Sequence, residues 1–118
     1  NKKMIFSYRS STESSVNIYL LDGELIDRGQ AVSLLEEIEA QIERNENKFL
    51  LNLANLKYLN SSGLNVIINI LTKARKSGGD VAICNVNKKI TELLVITKLN
   101  SVFNVCNSVE KGIEILNK

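Results

Sequence analysis

Residues 52–64 read Asn52-Leu53-Ala54-Asn55-Leu56-Lys57-Tyr58-Leu59-Asn60-Ser61-Ser62-Gly63-Leu64, an apolar strand that runs into two adjacent hydroxyls and then a helix. Just upstream, Phe49-Leu50-Leu51-Asn52-Leu53 is the short, mostly apolar run expected of a strand covered on both faces. Downstream, Leu64, Ile67, Ile68, Leu71 and Arg75 recur at helical spacing, and Lys73, Arg75 and Lys76 close the helix with positive charge at its carbonyl end. Asn60 or Ser61 then falls at the N-cap, where a side-chain oxygen accepts from a free N–H of the first turn.

On these residues alone the turn reads first as a good helix start. Two features point further. The hydroxyls of Ser61 and Ser62 sit where unpaired backbone N–H groups and the helix dipole favour an anion, so a phosphate there is well placed. Val66 and Ile70 fall on a different side of the helix from the Leu64–Ile68–Leu71 stripe, the side of Ser62. Left exposed, they make an apolar docking strip beside the hydroxyls.

Outward from the turn, the pattern predicts strands at 4–8 and 16–21, joined by the polar stretch Arg9–Ser15, with Asp22-Gly23 ending the second. Asp27 and Gln30 have capping-box spacing, and Ala31, Leu34, Leu35, Ile38 and Ile42 mark a helix over about 28–44. Glu36, Glu37, Glu39 and Glu43 lie largely off its stripe and read as a solvated face. After the central helix, Gly78 fits the left-handed C′ position and leads to a strand at 80–84. Asn87 caps a helix carrying Ile90, Leu93, Leu94 and Thr97. Residues 101–105 read as a last strand, and Ser108 caps a terminal helix whose Gly112 allows close approach to the sheet. The order β-β-α-β-α-β-α-β-α calls for an α/β layer fold with a mixed, mainly parallel sheet.

The stretch Leu51-Asn52-Leu53 followed by Leu59-Asn60-Ser61-Ser62-Gly63-Leu64 resembles the STAS domain in the form of the bacterial anti-sigma-factor antagonists. Their hallmark is an Asp- or Asn-containing apolar strand, a connector, then Asp-Ser-Ser/Thr-Gly-Leu opening a helix. The likeness extends upstream to Gly23-Glu24-Leu25 and downstream through Gly78-Gly79 to Leu99. It implies the STAS fold, with a mixed four- to five-stranded sheet and about four helices, and one STAS domain over residues 1–118. It further implies phosphorylation on Ser61, with Ser62 as the alternative, and a partner surface at Asn60, Ser62, Gly63, Val66, Ile70 and Asp27. Asp27 enters through the Gly-x-Leu-Asp loop, one position late here. The implied partners are an anti-sigma factor that is also a serine kinase, which would carry the ATP and magnesium, and a serine phosphatase that resets the switch. The family's Asp is Asn60 in this chain, which keeps the capping oxygen and removes a negative charge beside the hydroxyl.

Composition bounds the alternatives. With 118 residues, 44% hydrophobic and 24% charged, the chain suits one core. A net charge of +2 and 5% aromatics indicate neither a phosphate-backbone footprint nor a base-stacking platform, so no direct nucleic-acid partner is expected. Asn1–Tyr8 lacks the apolar run of a signal peptide and no stretch reaches membrane-spanning length, so a cytoplasmic protein without membrane insertion is expected. Cys84 and Cys106 read as core thiols. The absence of histidine excludes a Ser-His-Asp triad and imidazole-dependent zinc centres, and no Walker A loop or GxGxxG fingerprint is present. No cofactor, metal or catalytic residue is therefore expected. A serine hydrolase lacks the G-x-S-x-G elbow. A receiver-like phosphoaspartate domain needs acids at strand ends, where Asn52, Asn55 and Asn60 stand instead. Besides the phospho-switch, a STAS scaffold that is never phosphorylated remains, and Asn60 favours it.

Overall fold

The computed structural model describes residues 5–118, and whatever the sequence implies for Asn1–Met4 lies outside the described residues. The elements are β1 (Phe6–Glu13), β2 (Val16–Leu25), a 3-10 turn (Arg28–Ala31), α1 (Val32–Glu43), β3 (Lys48–Leu59), α2 (Ser61–Lys76), β4 (Asp80–Cys84), α3 (Lys88–Ile96), β5 (Asn104–Cys106) and α4 (Val109–Leu116). One five-stranded sheet runs in the order β1-β2-β3-β4-β5. β1 is antiparallel to β2 and every later neighbour is parallel, so the expected mixed α/β sheet with four helices is what forms.

The two faces of the sheet are covered unequally. Alternate residues of the central strands, Phe49, Leu51, Val81 and Ile83, pack with α1, α2 and α3 in the larger core. Those between them, Leu50, Ala82 and Cys84, pack with Ile113 and Leu116 of α4 on the opposite face. This is why β3 reads as a continuous apolar run. α4 comes close because Gly112 faces Leu50, whose Cδ1 lies 2.6 Å from where a Cβ would stand.

Several boundaries differ from the sequence pattern. The polar stretch 9–15 is mostly strand, because β1 is an exposed edge that needs no apolar alternation, and only Ser14 and Ser15 turn, at φ 52° and 68°. β2 does not end at Asp22-Gly23 but runs on to Leu25. Gly23 (φ 94°) is needed inside it, since a Cβ there would stand 1.9 Å from the Ile5 carbonyl oxygen. The predicted helix over 28–44 is a 3-10 turn followed by α1, and the Asp27–Gln30 capping box serves the 3-10 turn. The last strand is 104–106 rather than 101–105; Val102 sits in the preceding turn, its carbonyl taken by the Arg75 guanidinium at 2.8 Å.

The largest correction concerns α2. Val66 and Ile70 are fully buried, while Ile68 is half-buried and Arg75 exposed. The buried arc takes in Gly63, Leu64, Val66, Ile67, Ile70, Leu71 and Ala74. α2 packs on β3, β4 and α1 at once, so it needs a wider apolar arc than a helix with one neighbour. The expected docking strip at Val66 and Ile70 is core.

Candidate functional site

The Ser61 turn owes its position to strand pairing. β2 and β3 are parallel neighbours that end in register, with Glu24 opposite Tyr58 and Leu25 opposite Leu59. Their continuations, 25–27 and 60–63, therefore emerge side by side, which places the Asp27 loop beside the serine turn.

Asn60 joins the two. Its Oδ1 accepts from the Gly63 N–H at 2.9 Å, capping α2, and its Nδ2 donates to the Ile26 carbonyl at 3.0 Å. The backbone N–H of Asn60 also points to the Leu25 carbonyl at 3.4 Å. Both ends of the amide are used in opposite senses, which a carboxylate cannot reproduce because it would face the Ile26 oxygen with another acceptor. Gly63 is wedged beneath the same loop, where a Cβ would lie 2.0 Å from the Leu25 carbonyl oxygen.

The 25–27 loop is itself well tied. Gln30 Oε1 accepts from the Ile26 and Asp27 N–H groups at 2.8 and 3.0 Å, and Gln30 Nε2 donates to the Glu24 carbonyl at 3.1 Å. Asp27 is exposed but its Oδ2 is engaged by the Gly29 N–H at 3.0 Å. With the Asn69 amide oxygen facing Arg28, it accepts from both terminal guanidinium nitrogens at 2.9 and 3.2 Å, linking the loop to the middle of α2. Ser61 and Ser62, by contrast, are exposed on the first turn of α2. The result is two accessible hydroxyls on a turn tied by hydrogen bonds to the neighbouring loop.

Beside Ser61 lies an open cleft of about 450 Å³ between the end of β3 and α3, lined by Tyr58, Asn60, Ser61, Lys89, Glu92, Leu93 and Ile96 among others. Ile96 is 77% exposed and Tyr58 43%. Apolar surface next to the hydroxyls is therefore present, supplied by β3 and α3 instead of α2. The sequence carried a signal for it. Ile90 and Leu94, four apart, are the buried pair of α3, which leaves Leu93, Val95 and Ile96 as an apolar excess outside that pair.

Other groups are chemically quiet. Cys84 is buried, and burial pushes its thiol up to about 12; half-buried Cys106 is also raised by desolvation. Raised thiols are poor nucleophiles at neutral pH. No group of three or more His, Cys, Asp or Glu side chains converges to hold a metal among the described residues, and none of their helices is long and apolar enough to cross a membrane.

The STAS domain family model matches residues 9–112, a span that contains both the paired strand ends and the serine turn. The chain belongs to the STAS domain family. Among curated relatives, this STAS domain is 33% identical over 84 residues to the anti-sigma F factor antagonist of Paenibacillus polymyxa, covering 71% of this chain and 72% of that protein. Among solved structures it is similar to an anti-sigma factor antagonist from Mycobacterium paratuberculosis, with a TM-score of 0.80 and 17% identity over 96% of this chain and 95% of that one. It is also similar to the Bacillus cell fate determinant SpoIIAA in its phosphorylated form, with a TM-score of 0.72 and 14% identity over 89% and 94% of the two chains. These structural likenesses establish the STAS fold.

Proposed function

We propose that this STAS domain is an anti-sigma factor antagonist that binds an anti-sigma factor when Ser61 is unmodified and lets it go when Ser61 is phosphorylated. The observation that carries this reading is the pair of exposed hydroxyls on the rigid Asn60–Gly63 turn, beside the cleft of Tyr58, Leu93 and Ile96. The names of the relatives supply the partner class. The partner is an anti-sigma factor with serine kinase activity, which brings its own ATP and magnesium, and a serine phosphatase restores the hydroxyl. The chain acts as a binding partner in the cytoplasm, as one domain, and catalyses nothing itself. Its docking surface comprises the turn residues Asn60, Ser61 and Ser62, the Asp27 loop and the cleft; Gly63, expected there, is buried and shapes the turn from beneath.

The switch is electrostatic. A phosphate adds about −1.5 to −2 charges and a tetrahedral bulk at the mouth of an apolar cleft. A partner seated there loses its contacts and meets a desolvation penalty. A loss of about 3 kcal/mol weakens binding more than a hundredfold.

The test is the intact mass of the protein purified from its own cells under several growth conditions, beside a Ser61→Ala version. A phosphate-sized increment present in the first and missing from the second is the expected result. Phosphate retained in Ser61→Ala and lost in Ser62→Ala would move the switch one residue. If neither form carries phosphate, a second reading takes over, favoured by the uncharged Asn60: a STAS scaffold or regulatory subunit in another partner-switching or transport complex. Ser61→Ala cells would then behave as wild type.

A further inference from the structure

We propose that Lys89 is the internal counter-ion of a phosphate on Ser61, so that phosphorylation closes the cleft with an ion pair made inside the chain. This rests on the reading of Ser61 as the modified residue.

Lys89 and Ser61 line the same cleft from opposite elements, Lys89 from the first turn of α3 and Ser61 from the first turn of α2. The start of α3 is fixed against the end of β3: Asn87 Nδ2 donates to the Leu56 and Lys57 carbonyls at 3.2 and 3.4 Å, and its Oδ1 accepts from the Ile90 N–H at 2.8 Å. The base of the lysine stem is thereby held beside the segment that leads into the serine turn. The ammonium is exposed and joins no ion pair among the described residues, so it is available to a new anion.

The cleft wall carries one cation for that anion. Lys89 and Glu92 are its ionisable linings apart from the Tyr58 phenol. No acidic residue stands in the first turn of α2, and the position before Ser61 is the neutral Asn60. A dianionic phosphate on Ser61 therefore meets the Glu92 carboxylate across the cleft and the exposed Asp27 on the adjoining loop, with Lys89 the one ammonium that lines the same cavity. The flexible stem of a lysine, with three donors at its end, suits capture of a phosphate whose position is set by another residue.

The pairing makes a regulatory difference. In the unmodified protein Lys89 is free to meet a carboxylate on the docked partner at the rim of the apolar cleft. In the modified protein the phosphate takes the same cation and its own bulk intrudes on the cleft beside Ser61. One group is thus removed from the partner's reach at the moment that a repulsive one is added.

The experiment installs phosphoserine at position 61 by genetic encoding, so that it does not depend on any cellular kinase. The second ionisation of the phosphate is then followed by phosphorus NMR titration. A free phosphoserine loses its second proton near about pH 6. An ammonium in contact stabilises the dianion, and the midpoint is expected to lie about half a pH unit or more lower with Lys89 than in Lys89→Gln. The difference is expected to shrink as salt is raised. Lys88→Gln and Lys73→Gln make the same change in net charge away from the cleft and are expected to leave the midpoint near that of the parent protein. Amide spectra of each variant verify the fold. A Lys89→Gln midpoint equal to the parent's, or one matched by Lys88→Gln, overturns the proposal. If the midpoint shifts as expected while protein from its own cells carries no phosphate, the pairing stands and the functional reading of Ser61 falls.

Discussion

At the scale of single residues, the serine turn depends on two residues that offer little room for exchange. Asn60 satisfies a donor and an acceptor at once, so Asn60→Asp keeps the cap but sets a carboxylate against the Ile26 carbonyl. It is expected to cost about 1 kcal/mol, read as a lowered urea midpoint with an unchanged slope. Gly63→Ala places a methyl 2.0 Å from the Leu25 oxygen. Because that neighbour is backbone, the loop must move, and a loss of about 3 kcal/mol is expected by the same measurement. The roles at this scale were largely written in the sequence. Asn87, Ser108 and the Asp27–Gln30 pair were readable as caps, and the cap of α2 was narrowed to Asn60 or Ser61, because capping is a contact between residues two or three apart. What the sequence left open was the second hydrogen bond of Asn60, which reaches across 34 residues to Ile26.

At the scale of elements, the pattern located the helices and misjudged one face. Val66 and Ile70 looked spare because a single stripe accounts for a helix with one neighbour, and nothing local shows that α2 has three. Burial has a direct consequence: Ile70→Ala is expected to lose about 3 kcal/mol of stability, as a cavity in the core. Ile96→Glu, on a site that is 77% exposed, is expected to stay within about 0.5 kcal/mol of wild type, while weakening capture of the proposed anti-sigma factor partner. Thermal or urea unfolding separates the two roles. β1 was under-read for the converse reason, since an exposed edge strand carries almost no apolar signal.

At the scale of the whole molecule, the buried polar groups set how stability varies with pH. In the folded chain the Cys84 thiol keeps its proton up to about pH 12, whereas an unfolded thiol releases it near about pH 8.5. Deprotonation therefore favours the unfolded chain: the stabilisation is complete below about pH 8.5 and is lost as pH rises toward the folded value. Urea unfolding at pH 7.5 and pH 10 is expected to show this decline, and Cys84→Ala to reduce it, leaving the contribution of Cys106. Tyr19, fully buried and also pushed up to about 12 by desolvation, extends the decline above pH 10. Its hydroxyl completes no hydrogen bond among the described residues, although the Gln41 amide is its polar neighbour. Tyr19→Phe is accordingly expected to leave stability unchanged or raise it by about 1 kcal/mol. The general architecture, alternating strands and helices on a mixed sheet, was legible from the order of elements. That α4 alone covers the second face was not, because the crossover rule fixes the hand of the parallel connections and is silent on a helix that follows the last strand.

The turn that carries Ser61 is tied to Ile26 and wedged under Leu25, so the scaffold has no slack with which to answer a group added to the hydroxyl. Under the proposed phosphorylation of Ser61, the group acts through its charge and local bulk and not through a refolded turn. The proposed switch then needs no refolding step, and its response time is set by the kinase and phosphatase proposed to act on it.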